Sequence, residues 1–309
     1  MDKDKIAIKT NNLTKIFGSR IAVNSLNIEI KQGEIFSLLG RNGAGKTTTI
    51  KMLCCLLRPT SGNASVMNFS IKENSQKIKE IIGVSPQDTA IAEHLSTWEN
   101  LLLMGGVFGL KTDESKRRAK DLMELLELED RKDQTRKLSG GLQRRLSIAM
   151  ALISDPQILF LDEPTLGLDP QARKSVWNYI EKLKNEKTIL LTTHYLEEAD
   201  SLADRIAIMD KGEIIEMGTS SELKQKYATH KTLKISAENI TTEIIDVLSK
   251  QGMEVKLTSS GVEIKAKELD FHSIIDLLQQ KNLKISGIEM QEPTLDDVFL
   301  HLTGKKTTI

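Results

Sequence analysis

The chain has 309 residues with 43 basic and 43 acidic side chains, so its formal net charge is zero, which argues against a protein held on nucleic acid by bulk phosphate attraction. The length favours two domains over one, and the 39% of hydrophobic residues is enough to bury a core. The two cysteines are adjacent, no apolar stretch reaches the ~20 residues of a membrane helix, and the N-terminus lacks the apolar core of a signal peptide, so we expect a soluble, intracellular protein.

The first part of the sequence alternates short apolar runs with helical segments, which is typical of an α/β fold. Residues 97–129 are instead rich in Leu, Glu and Lys at helical spacing, so we predict a helical subdomain over about 88–155 within the α/β core. A glycine-rich turn and a helix over 47–57 follow the third predicted strand. The predicted strands are 6–8, 21–30, 35–39, 158–161, 188–193, 205–209 and 213–216.

A loop-like segment near residues 218–230 separates this part from a second one. We therefore predict an α/β domain over 1–225 and a small α+β accessory domain over 226–309. Beyond the boundary the elements follow the order β-α-β-β-α-β, which is typical of a ferredoxin-like fold. The predicted strands there are 231–236, 254–258, 262–265 and 284–290, and the predicted helices are 242–251 and 269–281.

The strongest motif is GRNGAGKT at residues 40–47, which fits G-x-x-x-x-G-K-[ST] between a predicted strand and a predicted helix. Glycines let backbone N–H groups turn toward anionic oxygens, and the helix that starts near Lys46 presents its positive dipole end to the same place. Lys46 is predicted to reach the β- and γ-phosphates of a nucleotide, and the Thr47 hydroxyl to ligate Mg²⁺.

Two carboxylates, Asp162 and Glu163, end the apolar run 158–161. A buried strand delivers them at its C-terminal end, where ligands of α/β proteins bind. Asp162 would hold Mg²⁺ and Glu163 would polarise the attacking water as general base. Many strands end in an acidic turn, so the pattern gains its weight only downstream of a phosphate-binding loop.

Two further segments narrow the class: LSGGLQ at residues 138–143 and LTTH at 191–194. Together with the loop and the acidic strand end, in this order, they make residues 5–225 resemble the nucleotide-binding subunit of ATP-binding-cassette (ABC) transporters. The resemblance implies an α/β P-loop nucleotide-binding domain with a helical subdomain, and hydrolysis of ATP with Mg²⁺.

The resemblance also implies roles for the matched positions. Gln87 is similar to the Q-loop glutamine that senses Mg²⁺ and the attacking water, His194 to the switch histidine that contacts the γ-phosphate, Asp169 to the D-loop aspartate, and Phe17 to the aromatic residue that stacks on adenine. The implied catalytic residues are Glu163, His194 and Gln87, and the implied Mg²⁺ ligands are Thr47, Gln87 and Asp162. The implied nucleotide-binding residues are Phe17, Gly40, Asn42, Gly43, Ala44, Gly45, Lys46, Thr47, Thr48, Ser139, Gly140, Gly141 and Asp169.

The sequence departs from the family pattern at two positions. The signature is usually LSGGQ, whereas here Leu142 takes the fifth position and Gln143 follows. The adenine-stacking residue is usually Tyr, and Phe17 keeps the aromatic face without the hydroxyl. Taken singly, Phe17 could equally be core filler and His194 a strand-end histidine without a ligand.

The segment Ser139-Gly140-Gly141 opens a predicted helix over 142–153, so it offers free N–H groups and a positive dipole to an anion. Alone, Ser139 would be read as a plain N-cap. Because the chain already has one phosphate-binding loop, a second anion site predicts a head-to-tail dimer, homodimeric or with a close paralogue, around two Mg-ATP.

The tail EPTLDDVFL at 292–300, followed by LTG at 302–304, resembles that of drug-resistance (daunorubicin-exporter-like) ATPases. Those pair with a separate ABC-2-type permease and export drugs, antibiotics or lipids. Without the resemblance, the tail is a capped amphipathic helix with Thr294 as N-cap. We expect a cytoplasmic motor bound to the cell membrane through a permease, whose short cytoplasmic helix contacts residues 87–109, and no nucleic-acid partner.

Two other functions remain open at this point. A soluble ABC ATPase without a membrane partner is the first, although repair members carry long coiled coils and translation members carry two cassettes. A GTPase is the second. Its guanine-binding Asn/Thr-Lys-x-Asp motif has no match, since Leu110 stands where that Asn would precede Lys111.

Overall fold

The computed structural model describes residues 5–128, 133–227, 231–238, 242–250, 252–258, 261–266, 271–280 and 284–304. They form two compact units that divide between Ser220 and Ser221. The predicted helix ends at Gln251, Leu269 and Lys281 lie outside the described residues, as does Glu129 at the end of the predicted helical stretch.

The first unit contains eleven of the described strands and seven of the described helices. In chain order they are β1 (Ile6–Phe17), β2 (Arg20–Leu26), β3 (Glu29–Lys31), β4 (Ile35–Leu39), α1 (Lys46–Leu53), β5 (Ser61–Val66), β6 (Phe69–Ser70), α2 (Ser75–Ile81), β7 (Ile82–Ser85), α3 (Thr97–Val107), α4 (Thr112–Leu125), α5 (Gly140–Leu152), β8 (Ile158–Asp162), α6 (Pro170–Lys182), β9 (Thr188–Thr193), α7 (Leu196–Leu202), β10 (Arg205–Asp210) and β11 (Glu213–Gly218).

An antiparallel sheet has the order β2-β1-β5-β6, with β3 paired to β1. The single strand predicted at 21–30 is two strands, since β2 ends at Leu26, directly after Ser25 with its left-handed φ of 46°, and β3 begins at Glu29. The helix predicted at 47–57 ends at Leu53 for a similar reason, since Cys55 has a φ of 57° and a left-handed residue does not continue an α-helix.

The central sheet has the order β11-β10-β4-β9-β8-β7 and is parallel except for the β10–β11 pair. Every residue of β4, β8 and β9 is buried, as expected for parallel strands covered on both faces. Because β4, β9 and β8 are parallel neighbours, their carboxyl ends meet at one edge. This edge carries Asp162, the last residue of β8, and the residues that follow the three strands: the loop 40–47, Glu163 and His194.

The helices α3, α4 and α5 pack into one apolar cluster with the central sheet. A capping box between Ser96 and Glu99 starts α3. Gly83 of β7 lies against α5 so closely that a Cβ there would be 2.1 Å from the Ala151 carbonyl oxygen. The backbone of α5 is therefore held directly against the central sheet.

The second unit follows the predicted ferredoxin-like order, which its four-stranded antiparallel sheet, β13-β14-β12-β15, confirms. Its core is built from leucine, isoleucine and valine side chains of the sheet and two helices. The elements are α8 (Ser220–Tyr227), β12 (Lys231–Glu238), α9 (Thr242–Lys250), β13 (Glu254–Thr258), β14 (Gly261–Ala266), α10 (Phe271–Gln280), β15 (Lys284–Gln291) and α11 (Leu295–Thr303). Within the described parts of both units, no helix combines the length and apolar character needed to cross a membrane.

Candidate active site

The loop at residues 40–47 joins β4 to α1 and is tightly packed against backbone. A Cβ on Gly40 would lie 2.3 Å from the Met209 carbonyl oxygen, and a Cβ on Gly45 would lie 2.4 Å from that of Ala22. Gly45 also has a φ of 110°, which side-chain-bearing residues avoid. Glycine is therefore required at both positions for the loop to curl at the N-terminus of α1, where backbone N–H groups attract an anion.

Lys46 is buried at the centre of this loop, with 5% of its surface exposed. Its Nζ donates to the Gly40 carbonyl oxygen at 2.6 Å and lies 3.0 Å from Oε1 of Glu163. The buried ammonium therefore meets the buried carboxylate, and each supplies the countercharge that the other needs away from water.

Asp162, the last residue of β8, accepts two hydroxyl hydrogen bonds on one oxygen. Thr47 Oγ1 donates to its Oδ1 at 3.0 Å and Thr192 Oγ1 at 2.6 Å. These contacts join the end of β8 to α1 on one side and to β9 on the other. A hydroxyl beside a carboxylate is a hard-oxygen donor pair of the kind that Mg²⁺ accepts when phosphate oxygens and waters complete its shell.

Glu163 is turned out of the strand by a left-handed backbone, with φ 50°. Its N–H donates to Thr192 Oγ1 at 3.0 Å, and its Oε2 lies 2.7 Å from Nδ1 of His194. The carboxylate thus lies between Lys46 and His194, so the phosphate-binding loop, the acidic strand end and the LTTH segment converge on one side chain.

A cavity of ≈ 480 Å³ opens beside this cluster. Phe17 lies at its edge, 49% exposed, and not in the core as its alternative interpretation required. Arg20, for which we made no prediction, lies opposite Phe17 across the β1–β2 hairpin. The only sign of this residue in the sequence is a basic side chain three positions after an aromatic one. The lining residues are Phe17, Arg20, Ala22, Asn42, Gly43, Ala44, Gly45, Lys46, Thr47, Thr48, Gln87 and Glu163.

The remaining predicted residues lie outside the lining of this cavity. Ser139 is the N-cap of α5, accepting from the Leu142 N–H, and Asp169 is the N-cap of α6, accepting from two N–H groups. Both are exposed, as is Gly140. Within one chain, therefore, these residues start helices whose exposed N-termini lie outside this cavity.

A second missed residue, Glu198 of α7, is fully buried beneath the site. Its Oε1 accepts from Thr165 Oγ1 at 2.7 Å and from Trp177 Nε1 at 2.9 Å. Burial raises the pKa of this carboxyl, and the nearby Glu163 raises it further. Glu198 thereby ties the segment after Glu163 to α6 and α7.

Comparison with known families gives two matches along the chain. The family model described as ABC transporter matches residues 23–166, and the model described as ATP-binding protein DrrA1-3-like, C-terminal domain, matches residues 218–303. The first spans the loop at 40–47 and the acidic end of β8, and the second spans the ferredoxin-like elements.

Two relatives match nearly end to end. The linearmycin resistance ATP-binding protein LnrL of Bacillus subtilis (strain 168) is 33% identical, covering 96% of this chain and 98% of the relative. The daunorubicin resistance ATP-binding protein DrrA3 of Streptomyces coeruleorubidus is 37% identical, covering 96% of both.

Among solved structures, the dimeric post-hydrolysis state of the ATP-binding cassette MJ0796, bound to ADP and Pi, is similar with a TM-score of 0.62 and 30% identity. The match covers 69% of this chain and 98% of that one. The site geometry, the two family matches and the full-length relatives agree, and the chain belongs to the ATP-binding proteins of ABC transporters and is an ATPase.

Proposed function

We propose that this ATPase is the motor subunit of an ABC-2-type exporter of drugs, antibiotics or lipids, acting as a dimer on a separate membrane permease. The observation that carries the hydrolytic part is the position of Glu163 between Lys46 and His194, beside Asp162. The export part is supported by the drug-resistance relatives and by the C-terminal unit that they share with this chain.

In the proposed reaction, the phosphates of ATP bind the N–H groups of residues 40–47, with adenine on Phe17. Lys46 then exchanges the Glu163 carboxylate for phosphate oxygens, which frees Glu163 to take a proton from water as that water attacks the γ-phosphorus. The bond to the β-phosphate breaks, giving ADP and phosphate, and His194 contacts the transferred group. Thr47, Asp162 and Gln87 are the residues that would hold Mg²⁺, which neutralises charge on the phosphates.

The dimer is supported by the exposed N-termini of α5 and α6. Ser139, Gly140 and Asp169 lie outside the cavity of their own chain, and a helix N-terminus with free N–H groups suits a phosphate. A head-to-tail pair would place each Ser139 against the nucleotide of the other subunit, and the similar cassette MJ0796 is itself a dimer with ADP and Pi bound.

We place the permease helix in an apolar groove of ≈ 390 Å³ between β7, α3 and α5. Its lining includes Val84, Pro86, Met104, Phe108 and Met150. Within residues 87–109, where we expect the permease helix to bind, Met104 and Phe108 line this groove. Leu101 is fully buried and Trp98 packs against the same core, so those two belong to the interior.

The test is purification of the tagged chain from detergent-solubilised native membranes, followed by mass spectrometry. We expect one stoichiometric protein with about six membrane spans. Met104→Glu, which places a charge in the groove, should lose this partner while keeping ATPase activity. Lys116→Glu, an exposed change on α4, is the matched control and should keep both. Recovery of soluble partners alone would favour an ABC ATPase without a permease.

A further inference from the structure

A guanidinium group is buried between the apolar groove and the nucleotide cavity. It belongs to Arg144 of α5, which is 3% exposed. This residue directly follows the LSGGLQ motif at residues 138–143 and belongs to none of the motifs. Arg144 lies one turn after Ser139, on the same helix that presents the exposed N-terminus of α5.

Arg144 contacts three backbone carbonyl groups from two separate segments. Its NH1 donates to the Pro86 carbonyl oxygen at 2.7 Å, and its NH2 donates to those of Gln87 at 2.7 Å and Glu163 at 3.2 Å. Arg suits such a set, because its donors form a rigid planar fork. A buried charge needs partners of this kind, and lysine, with one terminal nitrogen where arginine has two, cannot reproduce this pair of donors.

These contacts bridge the two cavities. Pro86 lines the groove, whereas Gln87 and Glu163 line the nucleotide cavity. A second buried contact joins α5 to the end of β7, since Ser147 Oγ and Ser85 Oγ lie 2.8 Å apart. Burial lowers the pKa of the Arg144 guanidinium, and the nearby carboxylates of Glu198 and Asp162 oppose that shift.

We propose that Arg144 is a positioning residue that fixes the backbone of Gln87 against that of Glu163. Arg144 thereby fixes the relative positions of three parts of the chain. These are α5, which carries Ser139, the backbone of Pro86 and Gln87 beside the groove, and Glu163, the proposed base. The nucleotide-binding loop makes no part of this contact set. Loss of Arg144 should therefore impair the chemical step while leaving ATP binding intact. The proposal rests on the role proposed for Glu163, which Glu163→Gln tests separately.

The experiment compares Arg144→Lys with Arg145→Lys in the full chain. Arg145 is the matched control because it lies on the same helix and also binds carbonyl groups, those of Leu126 and Glu127, but outside both cavities. For R144K we expect kcat to fall about 10- to 100-fold, the scale expected from a small misplacement of catalytic groups. KM for ATP, and ATP binding followed by fluorescence titration, should change less than about threefold. R145K should keep kcat.

Thermal unfolding of both variants shows whether they are folded at the assay temperature. If R144K does not fold, Arg144→Gln replaces it, since an uncharged amide costs less to bury. An unchanged kcat in folded R144K, an equal loss in R145K, or failure of both Arg144 variants to fold while R145K folds would each overturn the proposal. The last two outcomes would assign Arg144 to general stability.

Discussion

At the scale of single residues, the site depends on buried charges of opposite sign that lie in contact. Lys46 and Glu163 are both about 5% exposed and 3.0 Å apart. Their motifs predicted that both would act on one nucleotide, and the direct contact between them is seen only in the structure. Arg20, Arg144 and Glu198 could not be predicted in the same way. None of them belongs to a motif, and the partners of Arg144 and Glu198 come from distant parts of the chain, so no local spacing marks them.

Glu163→Gln should nearly abolish turnover, by about 10²- to 10⁴-fold, the usual contribution of a general base. ATP binding should persist, because the loop and Lys46 are unchanged. Phosphate release under saturating ATP measures the first quantity and fluorescence titration the second. Wild-type turnover in this variant would remove Glu163 as the base.

Lys46→Ala should weaken ATP binding by about 10- to 100-fold, as expected for a lost hydrogen bond to a charged group. It should also lower the free energy of unfolding, because Glu163 keeps a buried charge without its ammonium. The double variant Lys46→Ala/Glu163→Gln should recover stability relative to Lys46→Ala alone. Urea unfolding of the three chains checks this, and equal stability of the single and double variants would contradict it.

At the scale of elements, close backbone approaches decide which residues a helix tolerates. Gly105 and Gly106 are neighbours in α3, yet a Cβ on Gly105 would lie 2.3 Å from Ser115 Oγ of α4, whereas one on Gly106 would meet nothing within 4 Å. Helical spacing predicted α3 and α4 from the sequence. Their separation at this contact depends on which side of α3 faces α4, and that was not visible in the pattern.

Gly106→Ala should therefore raise the free energy of unfolding by roughly 0.5–1 kcal/mol, the usual gain for alanine over glycine inside a helix. Gly105→Ala should lower it, since α3 and α4 must move apart. Chemical denaturation followed by circular dichroism compares the pair. A higher free energy of unfolding in both variants would contradict this, because it would show that α3 and α4 separate at little cost.

The helix α7 adds a pH-dependent element, because burial raises the pKa of Glu198 above its ordinary value of 4.5. The native state therefore holds the proton of this carboxyl more tightly than the unfolded chain does. Stability from this group is fully present below the unfolded-state pKa and is lost as the pH rises through the raised folded-state pKa. Between pH 5 and pH 8, the wild type should lose stability relative to Glu198→Gln. Urea midpoints followed by tryptophan fluorescence at both values test this, and a constant difference would contradict it.

At the scale of the whole molecule, the order of elements carried more information than their boundaries. The sequence predicted an α/β unit and a ferredoxin-like unit, and both are present. It placed β2 and β3 in one strand and extended α1 too far, because both elements end beside a residue, Ser25 or Cys55, with a left-handed backbone that these residue types rarely adopt.

Dimer formation is the prediction that belongs to this scale. In the presence of ATP and Mg²⁺, Glu163→Gln should form a dimer, measured by light scattering after size-exclusion chromatography. Adding Ser139→Arg should abolish the dimer and leave ATP binding to the single chain unchanged. Adding Ser96→Ala, which removes the N-cap of α3 instead, should leave the dimer intact. A dimer that survives Ser139→Arg would place the interface elsewhere.

The ion pair between Lys46 and Glu163 has a consequence for how the chain responds to the supply of ATP. In the proposed reaction Glu163 is an internal competitor of the nucleotide, because the Lys46 ammonium that would bind the phosphates pairs with Glu163 in their absence. Part of the phosphate's interaction energy is spent on displacing the carboxylate, so apparent affinity is lower than the loop alone would give. Turnover should therefore still rise at ATP concentrations that would already saturate a loop without this competitor.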